Sequence, residues 1–133
     1  MIIHKIIAIV IKDNEFLMVR KVGKDIWTNL GGKPEGDETE EEALIREIDE
    51  EVHCDCSIIK KLGDFESPAA FDDAIVKLSA FLVELKGEIN LDDPELEEVR
   101  FIPKNYKELG IMMPLSIEGQ ILPFLIDRGY LEW

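Results

Sequence analysis

The stretch Gly31-Gly32-Lys33-Pro34-Glu35-Gly36-Asp37-Glu38, continued by Thr39-Glu40-Glu41-Glu42-Ala43-Leu44-Ile45-Arg46-Glu47-Ile48-Asp49-Glu50-Glu51-Val52, changes character halfway along. Glycine and proline punctuate its first half, which reads as a loop. The second half repeats Leu44, Ile48 and Val52 at every fourth position, the apolar stripe of an amphipathic helix packed on something flat. Thr39 with Glu42 three residues on is a capping-box pattern, and Glu40 to Glu42 place negative charge where the helix macrodipole favours it. A glycine loop feeding a well-capped helix is the firmest expectation.

At about 100° per residue, Glu47, Glu50 and Glu51 fall within one arc of roughly a quarter turn beside that stripe. Like charges so placed repel unless a cation neutralises them, and an all-oxygen donor set suits magnesium or manganese. Arg46 stands four residues after Glu42 and four before Glu50, so it is expected to pair with both and to organise the acids. Gly31 and Gly32 let the backbone approach a ligand closely, and a carbonyl from that turn is a neutral donor for the same ion. On helix composition alone, a solvated acidic face is the competing reading. The loop ahead of the helix favours a site.

Toward the N-terminus, Ile2 to Ile11 and Phe16 to Arg20 are β-rich runs separated by Lys12-Asp13-Asn14-Glu15, which predicts a hairpin. A polar loop and a short strand at Trp27 to Leu30 lead into the glycines. Toward the C-terminus, strands are predicted at Ile58 to Phe65, Ala74 to Leu85 and Val99 to Ile102, with an acidic loop from Glu88 to Glu98. A short helix closed by Gly110 should follow. Ser116 is expected to cap a last helix, kinked at Pro123 and stopped at Gly129. No repeat or linker divides the chain, so residues 1–133 read as a single α/β domain.

With 15 basic against 29 acidic residues, the formal charge of −14 repels DNA, RNA and anionic lipid surfaces. A small phosphorylated metabolite stays admissible, because divalent cations reverse the local sign where carboxylates cluster. The N-terminal run lacks a signal-peptide pattern and no stretch is long enough to span a bilayer, so a cytoplasmic protein with no membrane partner is expected. Cys54 and Cys56 match no zinc spacing and read as packing residues in a reducing compartment.

Gly32, five intervening residues, Glu38, seven more, then Arg46-Glu47-Ile48-Asp49-Glu50-Glu51 reproduces most of the Nudix box. The chain resembles the Nudix hydrolase family over nearly its whole length, with the box running from Gly32 to Cys54. The resemblance implies an α/β/α sandwich with a mixed β-sheet. It implies Mg2+-dependent hydrolysis of a phosphoanhydride bond in a nucleoside diphosphate linked to another moiety, with Mn2+ as a substitute. Glu47, Glu50 and Glu51 would bind the metal with the Gly31 carbonyl assisting, while Gly32 and Glu38 support the motif. Glu47 is the leading general base, with Glu50 and Arg46 beside it in catalysis. Because family members differ in the base, Glu95, Glu97 and Glu98 are rivals, and Glu98 is the favoured additional metal ligand.

Arg20 and Lys33 are expected to hold substrate phosphates, ahead of Lys21, Lys24 and Arg100. Trp27 is expected to stack on a nucleobase, ahead of Phe65 and Phe71. Two residues depart from the box: His53 replaces the usual Gly, and Leu30 the proline common before the paired glycines. His53 should make the end of the helix costlier or different. Hydrolysis of a nucleoside triphosphate is the first expectation. ADP-ribose or another nucleoside diphosphate sugar is the alternative, on the strength of Ser67-Pro68 after the box. A non-catalytic nucleotide-binding domain would lose box carboxylates, and here all stand. A homodimer is left open.

Overall fold

The computed structural model describes residues 1–68, 73–91 and 93–133. Phe71, named above as a stacking aromatic, lies outside the described residues.

The apolar run Ile6 to Val10 is unbroken because the chain there is covered on both faces. In β1 (Ile2–Ile9), Ile6 and Ala8 join one buried cluster, while Ile7 and Ile9 join the other. Among the described residues, β1 is central to a four-stranded sheet in the order β5 (Gly31–Gly32), β1, β7 (Ile75–Lys86), β6 (Asp55–Pro68). Its pairing with β7 is parallel and with β5 antiparallel, so the sheet is mixed. A second sheet is built on β3 (Glu15–Lys21), which pairs antiparallel with β2 (Ile11–Lys12), β4 (Trp27–Thr28) and β8 (Leu96–Ile102).

The expected hairpin therefore needs correcting. β1 does not pair with β3, because the run breaks at Val10 and its continuation β2 crosses into the second sheet. The tight turn itself is present, with Asp13 and Asn14 at φ of 52° and 61° joining β2 to β3. The strand expected at Trp27 to Leu30 is split as well. Asn29 and Leu30 bridge the sheets, and the Leu30 carbonyl accepts from the Ala8 N–H at 2.8 Å.

Helix α1 (Glu40–Val52) lies over one buried cluster with Leu44, Ile48 and Val52 wholly buried, and its capping box at Thr39 and Glu42 is complete in both directions. Its first residue is also tied to the sheet: Glu40 meets His4 at 3.0 Å and Lys61 at 2.9 Å. The helix ends as a glycine-terminated one would, since His53 adopts the left-handed conformation at φ 52°, ψ 38°.

The opposite cluster is covered by the C-terminal helical segment. A π-helical turn (Ile117–Ile121) precedes α2 (Leu122–Asp127), and Ile117, Ile121, Leu122 and Leu125 are buried. Pro123 cannot donate to the carbonyl four residues back and its ring crowds it, so the chain widens by one residue ahead of the proline, with the Leu122 N–H reaching the Ile117 carbonyl. Ser116 is already helical and makes no side-chain cap, contrary to expectation. The short helix predicted before Gly110 is instead a run of turns at 104–110, which has a stop signal but no apolar period. No described helix is long and apolar enough to cross a membrane.

Candidate active site

β5 lies on β1 with Ile6 opposite Gly32 and Ile7 opposite Gly31, which carries the glycine pair directly under the C-terminal half of α1. Glycine is required at both positions. Gly31 sits at φ +140°, and a Cβ there would fall 2.0 Å from the Ile6 carbonyl oxygen. At Gly32 a Cβ would fall 2.5 Å from the Glu47 carboxyl carbon, so this glycine leaves the room in which the Glu47 side chain lies. Gly32→Ala is expected to displace a flexible carboxylate while sparing the backbone. Turnover should fall at least about tenfold with a melting temperature within a few degrees of wild type, as steady-state kinetics and thermal melts would show.

Arg46 is the organiser, with Glu50 as expected but with Glu38 and Glu47 where Glu42 was expected. Its guanidinium takes Glu38 in a two-pronged pair, Nε to Oε2 at 2.7 Å and Nη2 to Oε1 at 2.9 Å. Nη1 donates to Glu47 at 3.0 Å and to Glu50 Oε2 at 3.3 Å, and Nη2 reaches the Lys33 carbonyl at 3.2 Å. Glu42, expected as a partner, is committed to the capping box instead. The paired, bidentate geometry across the loop outweighs a simple one-turn contact on an exposed helix face. Hydrogen bonding to Arg46 holds the Glu38 carboxyl below the usual range, and Glu38 also accepts from the Glu35 N–H at 2.8 Å, closing the loop. Glu35 itself lies 3.8 Å from Arg46, a member of the cluster that sequence reading missed. The three-residue spacing of Glu35 and Glu38 around Gly36 was its only signal.

Glu51 is the most unusual carboxylate. It is 7% exposed, and Oε1 accepts the Gly31 N–H at 2.8 Å. Burial, against that one hydrogen bond, pushes its pKa up to about 8. Glu47 is raised too, by burial first, with Arg46 pulling the other way. Glu50 is more open, its side chain 55% exposed. The three acids are neighbours on one arc, yet among the described residues no three His, Cys, Asp or Glu side chains form a ready metal-ligating group. Arg46 engages Glu47 and Glu50, whereas Glu51 turns to the Gly31 amide.

The donor chemistry nonetheless fits a hard divalent cation. The donors are carboxylate oxygens, Glu51 is a buried acid with no cationic side chain hydrogen-bonded to it among the described residues, and Gly32 keeps space beside Glu47 clear.

The phosphate-holding and stacking expectations land differently. Arg20 is clamped between Glu97 at 2.9 Å and Glu98 at 2.6 Å, because the β3–β8 register sets Arg20 opposite Glu98. Glu97 and Glu98 thus stand on a strand and not in a loop, and Glu98 is occupied by a guanidinium. Trp27 is 6% exposed, packed in the core with Arg20 over its ring at 5.8 Å, so it offers no open stacking face. Phe65 packs edge-on against Phe124 at 5.4 Å. Lys33 is exposed and gives its carbonyl to Arg46.

Comparison with known proteins bears on the family and the fold. The NUDIX domain family model matches residues 3–109. Among solved structures, a MutT protein from Methanosarcina mazei Go1 is 22% identical over 97% of this chain and 95% of its own, with a TM-score of 0.76. A bifunctional NMN adenylyltransferase/ADP ribose pyrophosphatase from Francisella tularensis is 26% identical over 94% of this chain and 40% of its own, at 0.67. A UDP-X diphosphatase is 20% identical over 77% of this chain at 0.70, and the chain spans about half of its length, 51%. No curated protein sequence matches the chain. The chain belongs to the NUDIX family, and with it to the hydrolases acting on acid anhydrides.

Proposed function

We propose that the protein hydrolyses nucleoside triphosphates to the monophosphate and pyrophosphate in the cytoplasm, with magnesium, or manganese in its place, at the carboxylates of α1. The observation that carries this reading is Glu47, Glu50 and Glu51 on one helix, with Glu51 buried against the Gly31 amide. Glu47, Glu50 and Glu51 would hold the metal, with the Gly31 carbonyl alongside. When bound, a divalent cation neutralises phosphate charge and lowers the pKa of water in the site.

The chain's own residues do the rest. Water adds to phosphorus, the bridging P–O bond breaks toward the leaving phosphate oxygen, and the Glu47 carboxylate takes the water's proton. Burial raises the basicity of Glu47, which suits it to that task. Arg46 and Glu38 lock the loop to the helix so that Glu47 meets the substrate in one position. Glu98 is a less favoured base, since it already neutralises Arg20.

A second reading, cleavage of ADP-ribose or another nucleoside diphosphate sugar, is supported by the similarity to the Francisella tularensis ADP ribose pyrophosphatase and by Ser67-Pro68 at the end of β6. Product analysis separates the two. Triphosphate substrates would give pyrophosphate with nucleoside monophosphate, and ADP-ribose would give AMP with ribose phosphate. Activity on sugar conjugates with none on any triphosphate would replace the first reading by the second.

A further inference from the structure

Ser79, between Leu78 and Ala80 in the middle of β7, is a wholly buried polar residue in an apolar stretch. A hydroxyl taken from water is costly unless paired, and this one is paired on both sides. Its Oγ donates to Asp64 Oδ1 of β6 at 2.8 Å and lies 2.8 Å from His4 Nε2 of β1. Ser79 has one hydrogen and Asp64 takes it, so the hydrogen between His4 and Ser79 belongs to His4. The same Nε2–H stands 3.0 Å from Oε2 of Glu40, the first residue of α1. Lys61 of β6 donates to the other Glu40 oxygen at 2.9 Å and pairs with Asp64 at 3.1 Å. His4, Ser79, Asp64, Lys61 and Glu40 thereby close a ring that joins three strands to the helix.

The ring lies on the face of the sheet that α1 covers. Alternation along β1 puts His4 with Ile6 and Ala8, which pack in the cluster beneath α1, and Ser79 is the β7 partner of Ile6. The helix is thus fastened to the sheet at both ends, by Glu40 to His4 and Lys61 and by Glu51 to the Gly31 N–H. Residues 33–39 lie outside both sheets, between Gly32 fixed on β1 and Glu40 fixed on the ring. They carry Glu38, whose two-pronged pair with Arg46 leads on to Glu47 and Glu50. The capping box at Thr39 and Glu42 already satisfies the start of the helix, so the ring is not needed to form it. What the ring sets is where the helix begins against the sheet. A closed, fully paired polar network is suited to that, because a shifted helix would leave buried partners unpaired.

We propose that His4 is a positioning residue for the hydrolytic site. By holding Glu40 it fixes the exit of the loop, two residues from Glu38 and two helical turns, about 10 Å, before Glu47. Glu38 then closes on Arg46 with Glu47 and Glu50 in the place where a divalent cation is taken. This rests on the hydrolase reading above.

The test compares wild type, His4→Leu, His4→Gln and Asn14→Ala as full-length proteins, by Mn2+ titration followed by electron paramagnetic resonance and by kinetics on any cleaved substrate. Gln offers an amide N–H near the position of the histidine Nε2, and Leu offers none. Asn14→Ala removes hydrogen bonds from the β2–β3 turn to Glu132 that involve neither α1 nor its loop, and serves as a variant weakened in fold alone. His4→Leu should bind Mn2+ at least about threefold more weakly and lose about tenfold in kcat with KM within about twofold of wild type. His4→Gln should return both quantities to within about threefold of wild type, and Asn14→Ala should melt lower with both unchanged. Wild-type Mn2+ affinity and kcat in His4→Leu, a His4→Gln as impaired as His4→Leu, equal losses in Asn14→Ala, or no Mn2+ binding by wild type would each overturn the proposal.

If His4→Leu does not fold, Glu40→Ala puts the same question from the helix side, with the same losses expected and wild-type values overturning the role. Turnover indifferent to His4 would sink that role and leave the hydrolase reading intact. His4-dependent Mn2+ binding with no turnover of any nucleotide would do the reverse.

Discussion

Replacing Glu51 with Gln is expected to lower turnover by roughly a thousandfold or more while raising the stability of the metal-free protein at alkaline pH. The two effects share one cause. Burial lifts the Glu51 pKa to about 8 from an ordinary 4.5, so the folded protein holds a proton that the unfolded chain releases. Below about pH 4.5 both states are protonated and the side chain costs nothing on this account; the penalty grows between the two values and is complete above about pH 8. Its size is on the order of 2–5 kcal/mol. Gln keeps an oxygen for the Gly31 N–H and carries no charge. In chelator at pH 9 its melting temperature should exceed that of wild type by roughly 5–15 °C, and the gap should close toward pH 5. Equal melting curves at both pH values would show that the carboxylate is not held as described.

The second large effect falls on stability alone. Gly31→Ala places a Cβ 2.0 Å from the Ile6 carbonyl oxygen and 2.9 Å from the Ile7 Cα, at a φ of +140° that side-chain-bearing residues rarely adopt. Both obstacles are backbone in the middle of β1, which cannot rotate away. Relief requires parting β5 from β1, and with it the Gly31 N–H from Glu51. A loss of about 4 kcal/mol or more is expected, seen as insoluble expression or a large drop in the urea midpoint. A variant that unfolds with wild-type values would contradict the register of the two strands.

Much of this arrangement was legible in the sequence, for identifiable reasons. The helix was, because Leu44, Ile48 and Val52 mark its period and Thr39 with Glu42 mark its start, both local signals. Strand existence was legible too, but partners were not. Alternation says which face a residue takes, whereas the parallel pairing of Ile2 with Ile75 joins segments far apart in sequence. For the same reason the break at Val10 was missed: an apolar run covered on both sides carries no sign of where it changes sheets.

Within the site, the spacing named the acids, yet the cations needed the fold. Arg46 was given Glu42 and Glu50 by helix geometry; it kept Glu50 and took Glu38 across the loop in place of Glu42. Arg20 looked free in sequence and is neutralised by its strand neighbours Glu97 and Glu98. His53 shows the converse. Its departure from glycine was plain to read, and the left-handed cap forms regardless, since the stripe beneath α1 fixes where the helix must stop.

The most direct test compares wild type and Glu51→Gln on one panel of nucleoside triphosphates, ADP-ribose, NADH, dinucleoside polyphosphates and nucleotide sugars, scored for phosphate and pyrophosphate release in magnesium and in chelator. Magnesium-dependent release by wild type, abolished by chelator and cut about a thousandfold or more in Glu51→Gln, is the expected result. Silence of wild type across the panel in both magnesium and manganese, or full activity in Glu51→Gln, would contradict a hydrolytic metal site on this helix.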